Sequence, residues 1–120
     1  MSIIALAGSP QAFASASGGK IRAYNAVTTT PAVVAPANAF RQKITFHNPG
    51  TVDIFIAPSL VVNAAGASVA LSPTTSALGG CWRVFSNGGA LEIAGECQGA
   101  WQAFAASGTT NALTVMDSNI

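Results

Sequence analysis

The chain has 120 residues, of which 50% are hydrophobic and only 8% are charged, with a formal net charge of +1 at pH 7. This length suits one domain with a core of its own, and five scattered basic residues disfavour nucleic-acid binding, which needs clustered Lys and Arg. Because a soluble domain typically carries about 25% charged residues, we interpret this charge-poor surface as one that other subunits cover.

Residues 1–40 are predicted to form an extended N-terminal arm. The segment is rich in Ala, Ser, Thr and Gly, and Pro10, Pro31 and Pro36 interrupt it, as is typical of a segment without long regular elements. Residues 20–27 alternate in side-chain character and could form one short strand.

We predict neither a signal peptide nor a membrane-spanning helix. A secretory signal has a basic segment before its apolar run, whereas residues 1–19 contain no charged side chain and Gly8-Ser9-Pro10 cuts the apolar run short. A spanning helix needs about 20 mostly apolar residues, and prolines and glycines interrupt the longest uncharged stretch, residues 54–82.

From residue 41 onward the sequence predicts β-structure. Short alternating segments are separated by turn sequences such as NPG, NAAG, SPTT and SNGG. This rhythm indicates an all-β, single-domain β-sandwich or jelly roll with its core in residues 41–120. For residues 96–106 the spacing also allows a short helix. The predicted strands are residues 42–47, 52–57, 60–63, 68–71, 81–86, 90–94, 101–105 and 112–116.

Two hairpins follow from the turn chemistry. In WRVFSNGGALEI, Asn87-Gly88 suits a two-residue type I′ turn, which would pair Trp82 with Ile93 and Arg83 with Glu92. A loop at NPG would likewise pair Phe46 with Val52 and Ile44 with Ile54. The second register would bring His47 and Asp53 close together on the outer face.

His47 and Asp53 are the residues from which an active site could be built. They could act as a base and its orienting acid, but a solvated face supplies neither a pocket nor a nucleophile. No hydrolase, metalloprotease or phosphate-loop motif occurs in the sequence. We therefore interpret HNPGTVD as a structural turn, and we expect no enzymatic activity, no cofactor and no metal site.

The two cysteines and the aromatic residues receive structural interpretations. Cys81 and Cys97 fall on opposite faces of the predicted strands, so we expect two reduced thiols, as in a reducing cytosol. The aromatic side chains could form a stacking platform for sugars or bases, but we favour core packing or subunit contact. The candidate subunit-contact residues are Phe13, Tyr24, Phe40, Trp101 and Phe104.

Residues 41–96 resemble a known family. The frame consists of NPG, a strand that ends in DIFIAP, LSP, the strand CWRVFS, a glycine turn and LEIAGE. It resembles the small β-sandwich or jelly-roll virion proteins of tailed bacteriophages, of the head decoration or cement type.

The resemblance implies a non-enzymatic protein that binds the outer head surface and stabilises the shell. Its implied partners are the major capsid protein and copies of itself, with no nucleic acid, membrane or small-molecule substrate. Its implied location is the virion, assembled in the host cytoplasm. Alternatives are a neck, tail or fibre-base protein, a carbohydrate- or receptor-binding module, and an enzyme that uses His47 and Asp53.

Overall fold

The computed structural model describes residues 19–73 and 79–119, and it confirms the prediction of an all-β sandwich. In this described part, eight strands form two four-stranded antiparallel sheets. Sheet I has the strand order β1-β8-β3-β6, and sheet II has the order β2-β7-β4-β5. The strands are β1 (Gly19–Val27), β2 (Ala32–Ala35), β3 (Arg41–Asn48), β4 (Ile54–Pro58), β5 (Trp82–Val84), β6 (Gly89–Ala94), β7 (Trp101–Ala105) and β8 (Asn111–Asn119).

The pairing of the strands is that of a jelly roll. β1 pairs with β8, β2 with β7, β3 with β6 and β4 with β5, as in one long hairpin that has been rolled up. β3 also pairs with β8, and β4 with β7, which completes each sheet. Apart from β4 and β5, consecutive strands therefore lie in opposite sheets.

The sandwich begins earlier in the chain than predicted. The strand expected at residues 20–27 is present as β1, but it forms an edge of sheet I, and β2 forms an edge of sheet II. Residues 19–35 therefore belong to the sandwich and not to an arm that ends at residue 40. These edge strands also contribute to the core, since Val27, Val34 and Ala35 are buried in it. Residues 1–18 of the predicted arm lie outside the described residues.

Both predicted hairpin registers are wrong. β5 and β6 lie in different sheets, as do β3 and β4, so none of the predicted pairs forms. The local turn chemistry is nevertheless present, since Asn87 and Gly88 have φ angles of 62° and 103°. The N–H of Gly89 donates to the Phe85 carbonyl over 3.1 Å, and the turn carries the chain from one sheet to the other.

Apolar side chains from both sheets form the core between them. Ile44, Phe46 and Val115 of sheet I are fully buried, as are Ile54 and Ile56 of sheet II. Each such side chain contributes about 1.5–3 kcal/mol through burial. The Trp101 ring packs against Phe46 with 5.9 Å between the ring centroids. Residues 101–105 are thus a strand in the core and not a helix.

A second apolar cluster lies on the outer face of sheet II. Phe55 and Ala57 of β4 and Phe104 of β7 are buried there with Leu71 of the β4–β5 connection. The rings of Phe55 and Phe104 stack with 5.2 Å between their centroids. Because both faces of β4 are covered, the whole run from Ile54 to Ala57 is buried. We call this outer side of sheet II the covered face.

The outer side of sheet I has no such cover in the described part of the chain. The alternation of β3 and β8 turns Ile44, Phe46, Leu113 and Val115 inward and sends their neighbours outward. We call this outer side the open face. Its outward residues are Ile21, Ala23, Lys43, Thr45, His47, Ala90, Glu92, Ala94, Thr114, Met116 and Ser118.

Candidate interaction surfaces

His47 and Asp53 do not form a combined site. His47 is exposed on the open face, opposite Ala90 and Thr114. Asp53 accepts the N–H of Ser86 at 2.8 Å and lies 3.7 Å from the Nε of Arg83. In residues 19–73 and 79–119, no hydrogen bond or ion pair joins His47 to Asp53.

Asn48 organises the NPG turn, a role that the sequence interpretation missed. Its buried side-chain amide donates to the carbonyls of Val52 at 2.8 Å and Val84 at 3.0 Å, and its Oδ1 accepts the N–H of Gly50 at 3.0 Å. Its own carbonyl accepts the N–H of Gly88 at 2.7 Å. The turn thus ties the start of β4 to the end of β5. An Asn directly before Pro-Gly signals such a turn, since Asn side chains bond the backbone two residues on.

The structure also brings three distant charged residues together inside the sandwich. Asp117 is 1% exposed and Arg41 is 0% exposed. The Asp117 carboxylate oxygen Oδ2 lies 3.0 Å from Arg22 Nη1 and 3.3 Å from Arg41 Nη2. We call these three residues the ion cluster. No local sequence signal predicts it, because the residues come from three different strands.

Arg41 uses its other hydrogens to fasten the loops at this end of the sandwich. Its guanidinium donates to the carbonyls of Pro36, Cys97 and Gly99 at 2.7, 2.8 and 3.0 Å. A buried charge must be paired and hydrogen-bonded to be tolerated. The backbone carbonyls satisfy the two terminal nitrogens of Arg41, whereas Arg41 Nε, Arg22 Nη1 and Asp117 Oδ1 are buried without a hydrogen-bond partner among the described residues. This arrangement indicates that the ion cluster stabilises the fold.

Cys81 and Cys97 are not joined in a disulfide, as predicted. Burial raises the pKa of both thiols, against the opposing effect of Arg83 on Cys81 and of Arg41 on Cys97. A reactive cysteine needs a lowered pKa, so neither environment favours a nucleophilic thiolate. The described residues contain no group of three or more His, Cys, Asp or Glu side chains that could hold a metal ion.

The five candidate subunit-contact residues fall into four groups. Phe13 lies outside the described residues. Trp101 and Phe104 are 4% and 0% exposed, so assigning them to subunit contacts is wrong for this fold, which uses them as core. Tyr24 is partly buried and donates its hydroxyl to the Val34 carbonyl at 2.6 Å, which links the edges of the two sheets. Phe40 is 72% exposed and stays available for contact.

An apolar hairpin projects from the β4–β5 connection, where the strands predicted at residues 60–63 and 68–71 are reduced to a single bridge. We call residues 60–69 the apolar hairpin, and Leu60, Val62 and Val69 are 69%, 49% and 37% exposed on it. A bridge between Val62 and Ser68 forms its stem. At its tip the Asn63 side-chain oxygen accepts the N–H groups of Ala65 and Ala67 at 2.9 and 3.0 Å. These bonds fix the conformation of the tip and so the positions of the exposed Val62 and Val69.

Exposed aromatic side chains also lie on and next to β5. Trp82 and Phe85 are 47% and 61% exposed. The Arg83 guanidinium lies 5.4 Å from the centre of the Phe55 ring and 5.5 Å from that of Phe85, within reach of a cation–π contact. Aromatic residues and arginine are enriched in protein interfaces, so this edge is a further candidate contact surface.

A half-open cavity of about 380 Å³ lies between the edge strands β1 and β2. Its walls include Ala23, Tyr24, Val33 and Val34, with Thr28 from the connecting loop. No Asp, Glu, Lys, Arg or His side chain lines it. The cavity therefore offers apolar surface and uncharged hydrogen-bonding groups.

Comparison of the chain with protein-family models, with curated proteins and with solved structures found no match. In the described residues there is no helix of the length and apolarity that crossing a membrane requires.

Proposed function

We propose that this protein is a non-enzymatic capsid decoration protein of a tailed-bacteriophage particle, which binds the outer head surface and stabilises the shell. Three features support the proposal: the jelly-roll fold, the scarcity of charge, and the resemblance of residues 41–96 to such proteins. The observation that carries it is the apolar hairpin. Three large aliphatic side chains are held exposed on a segment that has no charge from residue 54 to residue 82.

The physical argument concerns desolvation. Each half-exposed aliphatic side chain gains about 25 cal/mol for every Å² of apolar surface removed from water, and an uncharged surround adds no ionic desolvation cost. One copy would gain little from so small a patch. Many copies on one shell, each also touching its neighbours, act together, because linked sites multiply modest affinities.

The direct test compares virions from the genome that encodes the chain with virions that lack only this protein. We expect the depleted heads to lose their DNA at lower temperature and in milder osmotic shock or chelator. Imaging of the complete particle should place the protein on the head at many symmetric positions. Equal survival of the two kinds of head would contradict the stabilising role, and density at the neck, tail or fibre base would favour the alternative location.

A second experiment tests the apolar hairpin itself. Purified protein with Leu60→Ser and Val62→Ser is added back to depleted heads, and the bound copies are counted. We expect affinity to fall at least about tenfold, which corresponds to a loss of about 1.4 kcal/mol. Ala64→Ser on the same hairpin is the matched control and should bind normally. Unchanged binding of the double variant would show that the apolar hairpin does not contact the head.

The half-exposed Trp82 favours a second candidate function, a carbohydrate- or receptor-binding module. A half-exposed tryptophan ring at the edge of sheet II offers a flat surface to a sugar ring. A glycan array probed with the protein and with Trp82→Ala decides this case: specific binding that the variant loses supports it, and a blank array eliminates it.

A further inference from the structure

The open face of sheet I carries few charges and mostly small side chains, with two larger apolar residues, Ile21 and Met116, in its middle row. An antiparallel sheet that faces water on one side normally alternates apolar residues inward with polar ones outward. Here the middle row across the sheet consists of Ile21, Met116, Thr45 and Glu92. Apart from His47 and Lys43, the rows on either side contain only Ala, Thr, Ser and Gly. Ile21 is 67% exposed at the edge of this face.

We propose that the open face is the surface through which two copies of this chain associate, packed sheet on sheet about a two-fold axis. This inference deepens the proposed homo-oligomer and rests on it. Sheets pack face to face at about 10 Å, and the small side chains of the open face allow that approach without a bulky obstruction.

The area of the open face meets the requirement of a specific interface. Its four strands span about 19 Å, and the eight residues of β3 extend about 27 Å, so each copy offers about 500 Å². A pair of copies would bury about 1,000 Å², which is the lower bound for a specific protein–protein contact.

The charges of the open face are compatible with contact between identical surfaces. A two-fold interface brings the same surface patch of both copies together, so a face with a single sign of charge would repel its copy. Lys43 and Glu92 lie 3.4 Å apart on this face and are 41% and 57% exposed. One charge of each sign keeps the face neutral and allows Lys43 of one copy to meet Glu92 of the other.

Sheet II is not expected to associate with a second copy in this way, because its outer side is already covered. There the β4–β5 connection already covers the central strands through Leu71. Sheet I receives no equivalent cover from the described residues, and a second copy supplies one with matching strand spacing and matching twist.

The experiment measures self-association by sedimentation velocity over a range of protein concentrations. Thr45→Lys and Met116→Lys each place a like charge on both copies at the centre of the contact. We expect either variant to weaken association at least about tenfold, because like charges facing each other across an interface are strongly unfavourable. Ala106→Lys adds the same charge at an exposed position outside the open face and should associate like the unmodified protein. Circular dichroism and thermal unfolding check that each variant is folded.

A second measurement needs no variant. The rate at which dilute hydrogen peroxide oxidises Met116 is followed by peptide mass spectrometry, with free methionine as an internal reference. We expect the rate to fall several-fold as concentration rises through the dissociation constant, because the second copy shields the thioether. A rate that is independent of concentration contradicts the inference.

The remaining outcomes separate this inference from the proposed function. If the unmodified protein is a monomer at every concentration, the inference is wrong. It is also wrong if the protein associates but Thr45→Lys behaves like Ala106→Lys, although a homo-oligomer through another surface then stands. A monomer whose Thr45→Lys variant no longer binds heads would show that the open face contacts the shell protein instead. Whether the protein lies on the head is decided independently by imaging the particle.

Discussion

The outer faces of the two sheets differ in how they are covered. Sheet II buries Phe55, Ala57 and Phe104 under Leu71 of its own chain, so its central strands are apolar on both sides. Sheet I carries small residues with one exposed ion pair between Lys43 and Glu92 on its outer side. The comparison teaches that one sheet is covered on its outer side by its own chain, whereas the other leaves its outer side open, and that open side is the surface that we propose for contact with a second copy.

Replacing Phe104 by Ala should have the largest effect on stability. Phe104 is fully buried and stacks on Phe55, so we expect a loss of about 3–5 kcal/mol in the free energy of unfolding. Met116→Ala on the open face is the control and should cost less than about 1 kcal/mol in the monomer. Urea denaturation measures both, and equal losses would contradict the difference between the two faces.

The ion cluster and the exposed ion pair allow a second comparison, between the inner and outer sides of sheet I. Asp117→Asn leaves Arg22 and Arg41 without their counter-charge, and we expect a loss of about 3 kcal/mol. Glu92→Gln removes one member of the exposed pair and should change stability by less than about 1 kcal/mol. A small effect of Asp117→Asn in chemical denaturation would show that the backbone carbonyls alone can support Arg41.

Removing the cover of sheet II tests the covered face directly. Leu71→Ala opens a cavity over Phe55 and Phe104, and we expect a loss of about 2–3 kcal/mol. Hydrogen exchange should increase in β4 and β7 and stay unchanged in β8. Leu60→Ala is the matched control, since Leu60 is 69% exposed on the same connection, and it should stay within about 0.5 kcal/mol. A uniform increase in exchange across both sheets would contradict a local cover.

The smallest expected effect depends on pH. Burial raises the pKa of Cys81 and Cys97 in the folded state. The contribution of the protonated thiols to the free energy of unfolding is therefore fully present below the pKa of an unfolded thiol, about 8.5. It is lost as pH rises through the higher folded pKa, because the unfolded chain then binds fewer protons than the folded one. Stability should therefore decline above about pH 8.5, and Cys97→Ala should flatten this decline. A variant with the same slope as the unmodified protein would assign the decline to other groups.

Several local features followed from the sequence alone. The period-two alternation and the frequent turn residues predicted an all-β sandwich. Asn87-Gly88 predicted positive φ angles, which the structure has. These features depend on neighbours within a few residues, and for that reason the sequence reveals them.

The tertiary structure decided which strands pair and which charges meet. Alternation shows which side chains turn inward, but the same inward pattern fits a partner in the same sheet or a neighbour in the opposite one, so the NPG and NG turns were assigned to hairpins that do not form. The β4–β5 connection folds back over sheet II because Phe55 and Phe104 lie together only once β4 and β7 have paired. The ion cluster likewise joins three strands that come together only in the rolled sheet. Long-range pairing determines these contacts, and no short stretch of the sequence contains that information.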